Sequence, residues 1–525
     1  MAKQVDAKTL KSWLSDGREL ALIDVREAGQ FGEAHLFFAV PLPYSRFEVA
    51  LPALLPNPAV RLVFCDAGDG TAERAADRAE ALGSRDVHVL AGGMEGWKRA
   101  GYTLYAGVNV PSKTFGELIE HERHTPRVTA EAVENMRKAG ENFVIVDGRP
   151  LTEYRRMNIP GGICCPNGEL VLRIREIAPD PKTTVVVNCA GRTRSIIGAQ
   201  TLIDFGVPNP VVALENGTQG WFLAGMKLEH GADRRYPERP AAAHAADLKA
   251  QADKLAAAHG AAFVAPATAA GWLADASRTT YLLDVRTPEE FAARAVPGFV
   301  HAPGGQLIQA TDQWVGVRGA RLVLMDEEGV RAPVVAAWLR QLGHEAYVLE
   351  GGIAAASGLN WRQPQMPSPR LATLRPMTAR EVSAAVRAGT AAVIDLRASM
   401  TYRKGHIAGG IWSIRPRIAA AVADRAKTIV LVADEAQAAQ LAALDLAEAG
   451  FADVRLLDGG YEAWRAAGLP TEATPDNPVD ADCIDFLFFT AARHDGDEAA
   501  ARTYLTWEIG LVGQLDAQER GAFRI

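Results

Sequence analysis

The sequence predicts an α/β protein made of four tandem copies of a small, doubly wound, mostly parallel sheet flanked by helices. Three observations carry this prediction: a fourfold repeat, apolar strands that alternate with long helices, and a glycine that closes each central helix. Alternating strands and helices favour a parallel sheet covered on both faces. A glycine at the helix end fits a left-handed cap, because it has no Cβ to clash there.

Each copy begins with a short apolar strand that ends in Asp-x-Arg. Between 65 and 70 residues after that aspartate comes the second residue of a Gly-Gly or Asn-Gly pair. Nearly constant internal spacing over four units is typical of a tandem array. The aspartates and the paired glycines are Asp24 with Gly93, Asp147 with Gly217, Asp284 with Gly352, and Asp395 with Gly460.

A second apolar strand and an amphipathic helix follow in every copy. The strands read RLVFC, TVVVN, RLVLM and TIVLV, and another short strand such as VHVL comes after each helix. The order of elements is therefore the same in all four units. The helices end at Gly83, Gly206, Gly343 and Gly450.

The four predicted units cover residues 1–105, 125–232, 263–365 and 374–473. A connecting segment around 106–124 separates the first two. The stretch 232–262 is rich in alanine and charge, which predicts a linker with some helix or an exposed docking helix. The tail 476–525 contains apolar and aromatic pieces such as CIDFLFF, so we expect it to pack on a neighbouring unit.

Composition excludes several classes of protein. The chain has 525 residues, 48% of them hydrophobic and 23% charged, as in an ordinary globular protein. No apolar run reaches the roughly 18 residues of a membrane span, and no secretory signal is evident at the N-terminus. A net charge of −7 without a long basic block argues against nucleic-acid binding.

The cysteines predict free thiols in a reducing cytoplasm. There are five, at 65, 164, 165, 189 and 483, which is too few for a disulfide framework. No C-x-x-C pair occurs, so a structural zinc site is not expected. We predict neither a metal nor an organic cofactor.

The loop between the central strand and helix of the second unit is the candidate active site. Ligands of open parallel sheets bind beyond the carboxyl ends of the strands, where a helix N-terminus attracts anions. A cysteine in that position is expected to be largely thiolate near neutral pH. Glycine lets the loop amides turn towards the sulfur, and two arginines add positive charge. The loop residues are Cys189, Ala190, Gly191, Arg192, Thr193, Arg194 and Ser195.

These residue types favour sulfur-anion chemistry. Cys189 could attack a sulfane sulfur, as in thiosulfate, and hold it as a persulfide that a second nucleophile then removes. Both arginines are candidate anion ligands, and the residues themselves leave open which of them faces the substrate.

The repeated Asp-x-Arg, the IPGG-type loop at 159–162 and the Cys-x-Gly-x-x-Arg pattern from Cys189 to Arg194 resemble the rhodanese (sulfurtransferase) family. The resemblance extends over roughly residues 1–473. It implies a doubly wound sheet with the cysteine at the head of a central helix, and persulfide chemistry at Cys189. It also favours Arg194 as the residue that faces the ligand.

The family that the sequence resembles also has phosphatase relatives with a similar cysteine loop. Four residues lie between Cys189 and Arg194, which is the sulfurtransferase length, whereas the phosphatase loop has five and is wider. A phosphatase is therefore the minor alternative.

Counting back from the glycine that closes each helix tests whether the other units are active. The residues equivalent to Cys189 are Asp66, Asp326 and Ala433, whereas Cys65 is equivalent to Asn188. An aspartate cannot carry sulfur and repels an anion, and alanine has no nucleophile. We therefore predict that units one, three and four are inactive.

Three further side chains have both a structural and a functional interpretation. Arg149 is expected to form a structural ion pair with Asp147, because the inactive units keep the same pair, although it could also line the substrate pocket. For Cys164 and Cys165 we favour one thiol in the core and the other near the surface. The alternative is that one of them receives sulfur from Cys189.

The sequence thus predicts an enzyme that moves sulfur from thiosulfate or a similar small anion to cyanide, a thiol or a protein acceptor. The competing hypothesis is a sulfur carrier or scaffold with little turnover, in which the inactive units and the tail hold a partner. The inactive units could also form a homodimer surface.

Overall fold

A computed structural model describes residues 2–237, 244–361, 366–494 and 496–525. It contains four five-stranded sheets in which every neighbouring pair of strands is parallel, with helices packed on the faces. The predicted fold class is therefore confirmed. Residues 238–243 of the predicted linker and 362–365 at the end of the third unit lie outside the described residues.

Unit one contains the first five strands and helices, and a long helix then connects it to unit two. The strands are β1 Lys3–Val5, β2 Leu20–Asp24, β3 Val40–Pro41, β4 Arg61–Cys65 and β5 Asp86–Leu90. The helices are α1 Ala7–Trp13, α2 Ala28–Glu33, α3 Phe47–Leu54, α4 Thr71–Ala81 and α5 Gly93–Arg99, followed by the connecting helix α6 Val110–Arg123.

Unit two repeats this order, and a second connecting helix follows it. The strands are β6 Arg127–Val128, β7 Phe143–Asp147, β8 Ile163–Cys164, β9 Thr184–Asn188 and β10 Val211–Leu214. The helices are α7 Ala130–Ala139, α8 Leu151–Arg156, α9 Leu170–Ile177, α10 Thr193–Phe205 and α11 Gly217–Leu223, followed by the connecting helix α12 Ala245–Ala258.

Unit three has the same elements. The strands are β11 Ala262–Val264, β12 Thr280–Asp284, β13 Val300–His301, β14 Arg321–Met325 and β15 Glu345–Leu349. The helices are α13 Pro266–Ala274, α14 Pro288–Ala293, α15 Gly304–Gln309, α16 Arg331–Gln341 and α17 Gly352–Ala356.

Unit four adds a small two-stranded sheet, and the tail that follows it is helical. The strands are β16 Arg375–Met377, β17 Ala391–Asp395, β18 His406–Ile407, β19 Ile411–Trp412, β20 Thr428–Val432, β21 Val454–Leu457 and β22 Thr471–Glu472. The helices are α18 Ala379–Arg387, α19 Ser399–Lys404, α20 Ala436–Glu448 and α21 Gly460–Ala466, then α22 Phe488–Ala491, α23 Glu498–Gly510 and α24 Ala517–Arg520 in the tail.

The five-stranded sheets share one topology. In unit two the spatial order is β6-β10-β9-β7-β8, and the other units follow the same plan. The strand that ends in Asp-x-Arg pairs in register with the central strand, so that Asp147 lies opposite Asn188 and Asp24 lies opposite Cys65. The predicted glycine caps are confirmed, because all four adopt positive φ, for example +81° at Gly206.

Units two and three pack face to face around an approximate twofold relation. Their backbones approach so closely that a Cβ on Gly168 would lie 2.8 Å from the amide nitrogen of Gly305. Units one and four meet through a buried ion cluster, in which Arg415 bonds to Glu48 at 2.5 Å and to Asp445 at 3.0 Å. The first contact joins consecutive units, and the second joins the two units furthest apart in the sequence.

The two connecting helices and the tail lie against the units. Helix α12 buries Leu248, Ala252, Leu255 and Ala256 and packs on α16. The tail contacts every unit in turn. Its hydrogen bonds include Arg403 to Asp480, Gly29 to Ile484, Thr193 to Glu508, and Arg524 to Gln341. In the part of the chain that the structure describes, no helix is both long and apolar enough to cross a membrane.

Candidate active site

Cys189 lies between the end of β9 and the start of α10, at the carboxyl edge of the unit-two sheet. Its Sγ donates to the Ser195 hydroxyl across 3.6 Å, and the Ser195 hydroxyl donates to the Arg192 carbonyl oxygen at 2.7 Å. The residue is only 2% exposed. The thiol is therefore held at a helix N-terminus by a serine whose own orientation is fixed.

The strand register confirms the alignment of the other units. Asp147 pairs with Asn188, and the equivalent aspartates pair with Cys65, Met325 and Val432, so the next residues are Cys189, Asp66, Asp326 and Ala433. Unit two thus has a cysteine where unit four has alanine and units one and three have aspartate.

The two aspartates occupy their own helix N-termini. Asp66 accepts hydrogen bonds from the amides of Gly68 at 2.8 Å and Ala72 at 3.0 Å. Asp326 accepts from the amides of Val330 at 2.9 Å and Arg331 at 2.8 Å. In these units a carboxylate of the chain therefore takes the amides that could otherwise bind an external anion.

Arg194 sits between unit two and unit three. Both of its terminal nitrogens donate to the Glu153 carboxylate, at 2.8 and 2.9 Å, and Nη1 also donates to Oε1 of Gln306 at 3.3 Å. Burial acts to lower the pKa of Arg194, but the Glu153 carboxylate outweighs it and the pKa is raised. The guanidinium is therefore always charged.

Arg192 points towards the connecting helix α6. Its guanidinium bonds to Glu117 at 2.7 and 2.8 Å, to Glu120, and to the Asn216 side chain at 3.2 Å. Two carboxylates therefore already neutralise Arg192. This geometry favours Arg194 over Arg192 as the anion ligand.

Lys113 on helix α6 is a second cation near the thiol. Its ammonium donates to the Tyr504 hydroxyl at 2.6 Å and lies 4.8 Å from the centre of the Trp507 ring. Burial lowers the pKa of Lys113 to about 8, although the Glu508 carboxylate acts in the opposite direction. Lys113 is thus charged at neutral pH and loses its proton at moderately alkaline pH.

The tail helix α23 packs directly on the loop from Cys189 to Ser195. Glu508 accepts a hydrogen bond from the Thr193 hydroxyl at 2.6 Å. A Cβ on Gly191 would lie 3.0 Å from the Tyr504 ring and 3.1 Å from Oε2 of Glu508. A side chain at 191 would press on Tyr504 and Glu508, and the sequence did not reveal this close approach of the tail.

These elements enclose a cavity of about 360 Å³. Its lining includes the predicted residues of the loop from Cys189 to Arg194, and Arg149. The lining also includes residues that sequence reasoning missed, because they come from α6, unit three and the tail: Lys113, Gln306, Gln309, Gln313, Tyr504 and Glu508. The apolar and aromatic composition of the tail was the one sequence signal that pointed to this packing.

The Asp-x-Arg pair has the predicted structural role. Arg149 donates to Asp147 at 2.7 and 2.8 Å and to the Met157 carbonyl oxygen at 2.7 Å. The same aspartate accepts from the Asn188 amide at 2.8 Å, which ties the strand ends together. Arg149 therefore holds the edge of the sheet and also contributes to the cavity wall.

The prediction that one of the vicinal cysteines lies near the surface is wrong. Cys164 and Cys165 are 1% and 0% exposed, because the two faces of β8 are both covered. Cys164 packs with Tyr154 and Ala232, whereas Cys165 belongs to the main core. Burial raises the pKa of Cys164 to about 12, and neither thiol lines the cavity of Cys189.

All five cysteines lie within the described ranges and are free. Burial holds the pKa of the Cys65 thiol well above its ordinary value, and its Sγ donates to the Ile23 carbonyl oxygen. Among the described residues, no group of three or more His, Cys, Asp or Glu side chains is suited to hold a metal ion.

Comparison with known families gives four matches to one family model. The Rhodanese-like domain matches residues 6–100, 129–224, 267–358 and 378–467. Each match covers four of the five strands of one sheet, including its central strand, together with the central helix, and begins just after the first edge strand.

Individual relatives are similar either to part of the chain or to the whole of it. The thiosulfate sulfurtransferase GlpE of Pseudomonas fluorescens strain Pf-5 is 36% identical over 100 residues, which is 19% of this chain and 91% of that protein. The GlpE of strain SBW25 is 35% identical over 99 residues, or 18% of this chain and 90% of that protein. The crystal structure of a thiosulfate sulfurtransferase from Pseudomonas aeruginosa is 42% identical, with a TM-score of 0.89, and covers 100% of this chain and 99% of that one.

Proposed function

The chain belongs to the rhodanese family of sulfurtransferases, and on this premise we propose that its single working centre is Cys189 in unit two. Cys189 takes a sulfane sulfur from thiosulfate or a similar small anion and holds it as a persulfide. It then passes the sulfur to cyanide, a thiol or a protein acceptor. All five thiols are free, which fits a reducing cytoplasm, and a homodimer stays a prediction.

The reaction has two displacement steps. After the thiol releases its proton to solvent, Cys189 Sγ attacks the outer sulfur of thiosulfate. The new S–S bond forms as the bond to the sulfonate sulfur breaks, and sulfite leaves with that electron pair. Cyanide then attacks the terminal persulfide sulfur, the S–S bond breaks, and thiocyanate leaves while the thiolate is restored.

The surrounding residues have distinct roles in this proposal. Arg194 and the ammonium of Lys113 attract the dianionic donor, and the loop amides of 190–195 at the start of α10 stabilise the anionic sulfur. Ser195 fixes the direction of Sγ, and Thr193 anchors the loop to the tail through Glu508. Arg149 holds the cavity wall by its bonds to Asp147.

One observation carries the proposal: of the four equivalent loop positions, only that in unit two combines a sulfur nucleophile with a cavity lined by cations. Asp66 and Asp326 fill their helix N-termini with their own carboxylates. Ala433 offers no nucleophile.

Steady-state thiosulfate:cyanide turnover of the parent and of Cys189→Ser tests the proposal. We expect the variant to lose at least about 10³-fold in turnover, because a serine hydroxyl cannot form the persulfide. Mass spectrometry after thiosulfate treatment should find one added sulfur, about 32 Da, on the peptide that contains Cys189. The matched control is Cys65→Ala, which should keep parental turnover because Cys65 is buried at the position of Asn188.

The alternatives give different results in the same assays. A sulfur carrier would take up sulfur on Cys189 but show no appreciable thiosulfate turnover in the parent. A phosphatase would hydrolyse a small aryl phosphate and lose that activity in Cys189→Ser. Sulfur spread equally over Cys65 and Cys189 would contradict the assignment of one working unit.

A further inference from the structure

The twofold relation between units two and three places matching residues at matching contacts. Arg194 is five residues after Cys189, and Arg331 is five residues after the equivalent Asp326. Each arginine bonds to the equivalent glutamate of its own unit, which is Glu153 for Arg194 and Glu290 for Arg331. Within its own unit, each loop therefore has the same arginine–glutamate ion pair.

Each arginine also reaches across to the opposite unit, and there the two sides differ. Arg331 bonds to Glu169 of unit two at 3.0 Å. Arg194 bonds to Gln306 of unit three at 3.3 Å. Glu169 and Gln306 occupy equivalent positions, each 22 residues after the aspartate of Asp-x-Arg in its unit. The twofold relation thus pairs a carboxylate on the inactive side with a neutral amide on the side of Cys189.

This difference changes the charge that is left for a ligand. Arg331 bonds to three carboxylates, since Glu328 lies 2.6 Å away in addition to Glu169 and Glu290, and its side chain is 0% exposed. The side chain of Arg194 is 13% exposed, borders the cavity of Cys189 and bonds to the Glu153 carboxylate and to an amide that carries no charge.

We propose that Gln306 of the inactive third unit completes the anion subsite of unit two, by orienting Arg194 without neutralising it. Gln306 is a positioning residue: it accepts a hydrogen bond from the guanidinium and adds no second carboxylate to the Arg194–Glu153 pair, so that the guanidinium can still attract the oxyanion end of a dianionic sulfur donor. The subsite is built across the interface, so unit two alone lacks part of it. The inference rests on the proposed function of Cys189.

The test substitutes Gln306 in the full chain and measures sulfur transfer from two donors. Gln306→Glu reproduces the charge that Glu169 places against Arg331. We expect the KM for thiosulfate, a dianion, to rise at least about tenfold, with a smaller change in kcat. With an alkanethiosulfonate, a monoanion, the rise should be about threefold or less, because a weaker charge interaction is lost.

Two further variants separate charge from structure. Gln306→Met keeps the size of the side chain and removes the hydrogen bond without adding charge, so the KM for thiosulfate should rise by about threefold or less. Glu169→Gln makes the complementary change next to Arg331 and should leave both KM values unchanged.

An equal rise in KM for both donors in Gln306→Glu would show a merely structural role and overturn the inference. An unchanged KM for thiosulfate in that variant would also overturn it. If the proposed function itself is wrong, Cys189→Ser will keep parental turnover. That result does not depend on how the Gln306 variants behave.

Discussion

The Cys189 loop of unit two and its counterpart in unit three share a strand register, a helix and an arginine, yet different charges surround them. In unit three the Asp326 carboxylate takes two amides at the start of α16, and Arg331 lies buried among three carboxylates. In unit two the equivalent residue is Cys189, and Arg194 borders an open cavity.

A helix N-terminus that could bind an external anion can instead be occupied by a carboxylate of the same chain. A single carboxylate on the loop fills the amides permanently, and acidic neighbours then neutralise the nearby arginine. The loop of unit three is therefore complete without an external anion.

The largest effect is expected when the nucleophile is moved from unit two to unit three. Asp326→Cys in a Cys189→Ser background gives unit three a thiol at the head of α16. We expect below about 1% of parental thiosulfate turnover, because Arg331 stays neutralised by Glu169, Glu290 and Glu328 and cannot bind the donor. Thiosulfate:cyanide turnover and the mass of the peptide that contains position 326 measure this.

Appreciable turnover in that double variant would mean that the cysteine alone decides activity. The charge environment would then have no part in the difference between the units. Adding Glu169→Gln sharpens the test, since it should increase sulfur capture at position 326.

Lys113 on helix α6 is a second cation beside the loop of unit two. Its pKa of about 8 means that the ammonium is charged below that pH and neutral above it. The KM for thiosulfate should therefore rise as the pH increases through about 8. Lys113→Met should raise the KM about tenfold at neutral pH and abolish this rise, as expected for the loss of one charged hydrogen-bonding group.

Lys113→Arg is the matched control, because arginine keeps its charge throughout and the KM should stay flat across pH 8. The other charged or titratable groups that face Lys113 are Glu508, Arg493, Arg194, Cys189 and the Tyr504 hydroxyl, and all are kept in the control. A KM that rises through pH 8 in Lys113→Arg as in the parent would assign the change to another group.

The smallest expected effect concerns stability. Asp326→Ala removes a carboxylate that accepts two backbone amides, so the free energy of unfolding should fall by about 1–2 kcal/mol, as for loss of a helix cap. Turnover at Cys189 should be unchanged. Chemical denaturation followed by circular dichroism measures the first quantity, and an unchanged denaturation midpoint would contradict the capping role.

The repeat, the parallel α/β fold and the cysteine loop of unit two could be predicted from sequence because each depends on local pattern. Cys189 to Ser195 is one continuous segment, and counting back from the glycine that closes each helix aligned the equivalent position in the other units. Burial of the vicinal cysteines was predicted only in part, since it depends on what covers each face of β8.

The amino-acid order by itself determined four α/β units, one of which has a thiol at the anion-binding end of its sheet. Only the tertiary structure decided which charges surround that thiol. Arg194 and Gln306 are 112 residues apart, and Lys113 and Tyr504 are 391 apart, so no local pattern links them. Their contacts arise because units two and three, helix α6 and the tail bury one another's apolar surfaces. The hydrophobic effect is non-directional, so the apolar residues of the sequence do not show which segments will pack together.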